Sequence, residues 1–319
     1  MIPSEYFKAS SGTVRIPFSG LGTYQPDHKA YPAGSVKQTV LAALRAGYRH
    51  IDTSLRYDNG RNEKEVGEAV RESGISREEI FVENVFHTPE DVGIGMDISL
   101  KNLGLDYVDM FLMHCESSIF MKEETQPIID IELSRAYVET WKEMEKLVEQ
   151  KKARHIGVSN FSSPKIKKLL AVARIKPAMN QIECHPYWPQ KGLVKLCQDN
   201  DIHISAFGPL GCDPIPAIRG RTGPGPLEDA TIAAEAEKYS KTPAQVILCQ
   251  LLLRGLSVIP KNNNPARIQD NFDYIFDMAE EDFVLIDNLM GEQGERGVRN
   301  LETLDYLGFH NYNEEIEEP

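Results

Sequence analysis

The chain has no apolar run approaching the roughly 20 residues that span a bilayer, which excludes a helical membrane anchor within it. Cysteine is scarce. The five residues Cys115, Cys184, Cys197, Cys212 and Cys249 are odd in number and lack CxxC spacing, so no disulfide framework is expected, only buried thiols in a reducing cytosol. Positive charge is in deficit, with 35 Lys and Arg against 48 Asp and Glu and a formal net charge of −13. That balance excludes nucleic acid or an anionic membrane as the main partner, while leaving room for a local basic pocket. Met1 to Glu5 has neither a basic nor an apolar leader region, which predicts no signal or transit peptide and a cytoplasmic protein. No G-x-G-x-x-G follows the first strand pattern: Gly20-Leu21-Gly22-Thr23-Tyr24 lacks the third glycine and runs into Gln25-Pro26-Asp27. His50, His114, His155 and His185 lie on separate segments without ligand spacing, so no metal site is expected.

Hydrophobic residues make up 41% of the 319 and charged residues 26%, the composition of a soluble globular chain with a packed core. Short β-branched or apolar runs at 19–22, 49–52, 80–82, 107–114, 155–159, 179–181, 203–207 and 257–260 alternate with helical patterns. Those patterns cover 34–46, 64–71, 90–103, 134–150, 164–172, 191–199, 230–239 and 265–271. Eight βα units without a Pro/Gly/Ser-rich linker predict a (β/α)₈ TIM barrel in one domain over 1–319, with an open Rossmann-type sheet as the rival. Insertions at 115–132 and 207–226 follow the fourth and seventh strands, where barrel loops build active sites. The acidic tail after Gly291 reads as a frayed end.

Polar residues recur where the strands end: Asp52 then Tyr57, His114, Ser159-Asn160, Gln181 and Lys261. In a barrel these positions converge on one face. Singly, each has an ordinary reading: Asp52 as a helix cap, Tyr57 as a half-buried aromatic, His114 as a satisfied core histidine. Jointly, a tyrosine hydroxyl beside a histidine and a carboxylate makes a proton donor for a carbonyl oxygen that gains negative charge. The stretch Ile259-Pro260-Lys261-Asn262-Asn263-Asn264-Pro265-Ala266-Arg267 carries two cations and opens a helix, whose N-terminus can hold an anion. Solvated surface cations are the alternative there.

The motifs Gly47-Tyr48-Arg49-His50-Ile51-Asp52-Thr53 with Tyr57, Leu103-Gly104-Leu105-Asp106-Tyr107-Val108-Asp109 with His114, Ile156-Gly157-Val158-Ser159-Asn160-Phe161, Asn180-Gln181-Ile182-Glu183-Cys184-His185-Pro186 and Val258-Ile259-Pro260-Lys261 together resemble the aldo-keto reductase family, in family order from about Gly20 to Asn288. The resemblance implies a monomeric NADPH-dependent reductase acting on a carbonyl of a small molecule. By it, Asp52, Tyr57 and His114 match three of four catalytic residues, with Tyr57 the general acid. Ser159, Asn160 and Gln181 match the residues that hold the nicotinamide carboxamide, and Phe207 replaces a tyrosine that stacks on its ring. Lys261, Asn263, Arg267 and Asn271 match the pocket for the 2′-phosphate and adenine. Asn262 stands in that pocket for a serine or threonine and Asp270 for a glutamine or glutamate. Tyr24, His87 and Trp188 fall where the family lines its substrate pocket.

The departure follows the third strand. The family's catalytic lysine position is Val85, in Phe81-Val82-Glu83-Asn84-Val85-Phe86-His87, and the usual tryptophan is His87. Lacking that cation, Asp52 loses its counter-ion and Tyr57 is expected near or above its reference pKa of about 10, with Arg56 the nearest substitute in sequence. After His114 the chain has Cys115-Glu116, so Glu116 adds a carboxylate at the pocket mouth. Three readings stand: a carbonyl reductase with an incomplete tetrad; a non-redox dehydratase, isomerase or cyclase using the same acids and bases; and a catalytically silent NADPH-binding protein.

Overall fold

The computed structural model describes residues 6–9, 14–24, 32–86, 92–114, 118–122, 126–130, 137–211 and 225–290. An antiparallel hairpin of β1 (Tyr6–Ala9) and β2 (Val14–Pro17) precedes the first barrel strand, β3 (Leu21–Gly22). Then follow α1 (Ser35–Ala46), β4 (His50–Ser54), a 3₁₀ turn (Tyr57–Gly60), α2 (Arg61–Glu72), β5 (Phe81–Phe86), α3 (Val92–Leu103) and β6 (Val108–Met113). A second hairpin, β7 (Ser118–Lys122) with β8 (Gln126–Asp130), leads to α4 (Tyr137–Glu149), β9 (Ala153–Ser159), α5 (Ser163–Leu170), β10 (Met179–Glu183) and α6 (Lys191–Asp199). β11 (His203–Phe207), α7 (Ala230–Tyr239), α8 (Pro243–Leu253), β12 (Ser257–Val258), α9 (Pro265–Phe272) and α10 (Glu280–Asp287) complete the order.

The sheet is eight-stranded and parallel, in the order β12-β11-β10-β9-β6-β5-β4-β3. Its two edges meet, with bridges joining Ser19 to Val258 and Gly22 to Lys261. The Gly20 amide donates to the Val258 carbonyl at 2.8 Å and the Val258 amide to the Phe18 carbonyl at 2.9 Å. The sheet therefore closes into the expected (β/α)₈ barrel and the open-sheet rival falls. Closure depends on Gly22, where a Cβ would stand 2.8 Å from the Ile259 carbonyl oxygen.

Barrel strands are covered on both faces, so β4, β5, β6 and β10 are buried at every position. Their outward side chains pack under the helices. In α1, for instance, Val36, Val40 and Leu44 repeat at helical spacing and are buried. Inside the barrel, Val14 and Ile16 of β2 join Phe81, Val85, Met110, Leu112, Ala178 and Met179 in a separate apolar cluster. The first hairpin thus plugs the amino-terminal end, and polar groups collect above it.

Several elements escaped the sequence pattern: both hairpins, α8 and α10. Cys184, Cys197 and Cys249 are buried free thiols, as expected, whereas Cys115 and Cys212 lie outside the described residues. So does much of both insertions and the acidic tail. Among the described residues no helix is long and apolar enough to cross a membrane, and no group of three or more His, Cys, Asp or Glu is placed to hold a metal.

Candidate active site

Two carboxyl groups lie side by side in the barrel interior. Asp52 on β4 is in register with Glu83 on β5, and both are buried. Across the barrel, the Gln181 amide nitrogen on β10 donates to Asp52 Oδ1 at 3.2 Å and also to Glu83 Oε1. The other oxygen of Glu83 is 2.8 Å from Nε2 of His50, one inward position below Asp52 on β4. Burial first, and then the neighbouring Glu83 charge, push the Asp52 carboxyl well above the usual carboxylate range, opposed only by the Gln181 hydrogen bond. Asp52 forms no ion pair among the described residues. The expected substitute cation, Arg56, does not supply one: it is exposed, and its charge bears on His114 instead. Val85 is fully buried against apolar neighbours of the inner cluster.

Tyr57 opens the 3₁₀ turn that follows β4, and the next three residues are left-handed: Asp58 (φ 52°), Asn59 (φ 51°) and Gly60 (φ 80°). Asp, Asn and Gly are the residues that tolerate this conformation, so the turn is written in the sequence immediately after the tyrosine. The Tyr57 ring lies 5.2 Å from that of Tyr24, which is 45% exposed. The Tyr57 hydroxyl makes no hydrogen bond to any described residue. Burial, and after it the Asp52 charge, Tyr24 and Glu83, raise its pKa well above 10, so the phenol keeps its proton. Thr23 and Asn62 hold this corner together. The Asn62 amide nitrogen donates to the Thr23 carbonyl at 2.8 Å, and Thr53 Oγ1 donates to Asn62 Oδ1 at 2.7 Å.

His114 follows the end of β6, half-buried. Burial and the Arg56 charge bring its pKa down to about 4, so it is neutral at physiological pH. Ser159 ends β9, and Asn160 adopts φ 62°, which points its amide nitrogen to the His114 carbonyl at 3.1 Å and to Ser159 Oγ at 3.2 Å. Phe207, half-buried, ends β11. Asp52, Tyr57, His114, Ser159, Asn160, Gln181 and Phe207 therefore share the carboxyl end of the barrel. Gln181 differs from expectation in one respect: its amide nitrogen is committed to two carboxyl groups, and only Oε1 is left to face a ligand.

On the same rim, Lys261 and Arg267 are exposed, Asn262 and Asn263 half-buried, and Asn271 is buried with an amide nitrogen that has no partner. Asp270 is exposed. Contrary to expectation, the amino terminus of α9 is already capped. Asn264 Oδ1 accepts from the Ala266 amide at 2.9 Å and the Arg267 amide at 3.3 Å, so these two amides are already satisfied. Trp188, beyond β10, is half-buried with its indole nitrogen unpartnered. His87 and Glu116 lie outside the described residues.

Sequence reasoning missed Glu83, Thr23 and Asn62. Glu83 did leave a signal, being a charged residue at an inward-alternating position between Phe81 and Val85 in an otherwise apolar strand.

The family model for the Aldo/keto reductase family matches residues 20–290. The chain is 39% identical over 292 residues to aldo-keto reductase family 1 member A1-A of Danio rerio, covering 86% of each chain. It is 38% identical over 302 residues to glycerol 2-dehydrogenase (NADP(+)) of Saccharomyces cerevisiae, covering 88% of this chain and 89% of that one. Among solved structures, that of the aldose reductase from Schistosoma japonicum superposes with a TM-score of 0.80 at 32% identity, over 96% and 97% of the two chains. With its closed barrel and this rim of polar residues, the chain belongs to the aldo/keto reductase family and is an oxidoreductase of that kind.

Proposed function

We propose that the protein is an NADPH-dependent reductase of a carbonyl group in a small organic substrate, with Tyr57 as proton donor. The observation that carries this reading is the Tyr57 phenol itself, held protonated at the carboxyl end of the barrel with its hydroxyl committed to no described residue. The residues fit the cofactor. Asn271 offers a buried, unpartnered amide where an adenine would need a donor, and Lys261 with Arg267 supplies two exposed cations for a 2′-phosphate. A relative that carries NADP(+) in its name points the same way. Bound there, the nicotinamide supplies the hydride, and Phe207 offers a ring face for it to stack on.

The chain's own residues handle the proton. As a substrate carbonyl oxygen gains negative charge, Tyr57 donates to it, and neutral His114 stands ready as a second hydrogen-bond partner. Tyr24 and Trp188 line the approach. Asp52 sits behind Tyr57 and sets how readily the phenol gives up its proton.

The test is NADPH oxidation with a panel of aldehydes and ketones by the wild type, Tyr57→Phe and Val85→Lys. The reading expects wild-type oxidation with at least one carbonyl, a loss of at least about 100-fold in Tyr57→Phe, and faster turnover in Val85→Lys. Oxidation by none of them, with NADPH still binding, overturns it. A non-redox reading on the same barrel draws on one observation, the Asp52–Glu83 carboxyl pair with neutral His114 nearby, which can move protons without a hydride. Its mark is product formation with no NADPH consumed.

A further inference from the structure

Two buried carboxyl groups bridged by one amide nitrogen cannot both stay ionised at low cost, because like charges in a poorly solvated interior repel and neither can recruit water. The two differ in their partners. Glu83 Oε1 accepts from Gln181, and Glu83 Oε2 lies 2.8 Å from His50 Nε2, which donates to it in the tautomer that carries its proton there, so a nitrogen faces each of its oxygens. Asp52 has one such partner, at Oδ1, which leaves Oδ2 to carry a proton. Among the described residues, the other elements around the pair offer no substitute. β3 brings Gly22 to Asp52, and β6 brings Met110 to Glu83. Lys261, bridged to Gly22, is exposed and makes no ion pair with Asp52. His203 on β11 lies toward His50 and is held neutral. Tyr57 and Tyr24 are phenols above, and Arg56 bears on His114.

We propose that Glu83 is a positioning residue for proton donation: paired with His50 and sharing the Gln181 amide, it keeps the neighbouring Asp52 carboxyl protonated, so that a proton neutralises Asp52 where no lysine is present. This inference rests on the assignment of Tyr57 as the donor. An ionised Asp52 disfavours loss of a proton from Tyr57, since the phenolate would form beside a second negative charge. A protonated Asp52 removes that penalty. Buried Val85 then takes the place of a cation while Asp52, the nearer of the two carboxyls in its effect on the phenol, carries no charge, and Glu83, which would be hard to explain as packing, sets the state of the site.

The experiment is infrared difference spectroscopy of the cofactor-free full chain across pH, reading the C=O band of a protonated carboxyl. The expected result is a band at pH 7 that is absent in Asp52→Asn and that titrates at least one pH unit lower in Glu83→Gln. No Asp52-dependent band at pH 7, or an unmoved midpoint in Glu83→Gln, overturns the proposal. Should Glu83→Gln fail to fold, Val85→Lys decides it: an ammonium beside the pair should ionise Asp52 and abolish the band at pH 7, and its persistence overturns the proposal. With a reducible carbonyl in hand, the alkaline fall in kcat should move at least one pH unit lower in Glu83→Gln, which a merely structural role would not produce. A protein that shows the band but oxidises no NADPH supports this inference while overturning the reductase reading, so the two fail separately.

Discussion

His203 shows how much of this barrel is decided by single buried groups. The Ser257 amide lies 3.3 Å from its Nε2 and Ser257 Oγ 2.9 Å away, and the ring packs against that of Phe7 at a tilt of 31°, with centroids 4.7 Å apart. An amide donor aimed at Nε2 requires that nitrogen to be bare, so the imidazole is neutral. Burial, with a smaller effect from His50, brings its pKa from 6.5 down to about 3. In the unfolded chain the same histidine takes up a proton near 6.5, so its contribution to stability is fully present above that pH and is lost as pH falls toward about 3. The slope is at most about 1.4 kcal/mol per pH unit. His203→Gln keeps an acceptor for the Ser257 amide and removes the titration. Urea unfolding at pH 6, 5 and 4 should therefore give the variant a flatter decline than the wild type, by about 1 kcal/mol per pH unit. Equal slopes would show that His203 is not neutral in the folded protein. None of this was legible in the sequence, where His203 is simply the first residue of an apolar run. Asp52, Tyr57 and His114 were legible because strand-end position brings distant residues together in any barrel. Glu83 was legible only as a charge in an apolar strand, because its meaning depends on a cross-strand partner, Asp52, and a cross-barrel one, Gln181, that only closure supplies.

Among the elements, those with one apolar face were readable and those without were not. The helical patterns at 191–199 and 230–239 coincide with α6 and α7, whose Leu193, Val194 and Cys197, and Ile232 and Ala236, face the barrel. By contrast α8 is buried from Gln245 to Leu252, so it shows no amphipathic period to find. The two hairpins escaped for another reason: strands of four or five residues leave little alternation to detect. Helix packing yields a prediction whose sign runs against propensity. In α2, Gly67→Ala would ordinarily stabilise a helix by up to about 1 kcal/mol. Here the added Cβ would stand 1.9 Å from the Leu103 carbonyl oxygen at the end of α3, so the backbones must separate. The expected outcome is a loss of about 1–3 kcal/mol in urea unfolding, and a gain in stability would show that the α2–α3 contact yields freely. At α9, Asn264→Ala removes the side chain that caps Ala266 and Arg267, at a cost of about 1 kcal/mol. It also frees those amides at the rim, so the Kd for NADPH, read by fluorescence titration, should rise no more than about two-fold, whereas Arg267→Ala should raise it at least about ten-fold. Similar losses in both variants would count against a phosphate held by the arginine side chain.

At the scale of the molecule, closure joins stability to the proposed cofactor site. The strand that opens the barrel and the strand that ends it meet at Gly22 and Lys261, so the same bridge completes the sheet and fixes the start of the rim segment 261–271. Gly22 also pairs with Asp52 on its other side. A side chain at Gly22 must displace the Ile259 carbonyl, 2.8 Å from the added Cβ, and backbone there has little room to move. Gly22→Ala should therefore act on two readouts together. The unfolding free energy should fall by about 1–3 kcal/mol, because closing contacts are lost, and the Kd for NADPH should rise because Lys261 and the residues after it shift outward. Gly67→Ala, remote from the rim, should lower stability alone. If Gly22→Ala weakened the fold with cofactor affinity unchanged, the rim segment would be held by α9 and its packing rather than by the closing bridge. That comparison between two glycines each pressed against a backbone carbonyl separates the part of the barrel that supports the site from the part that only supports the fold.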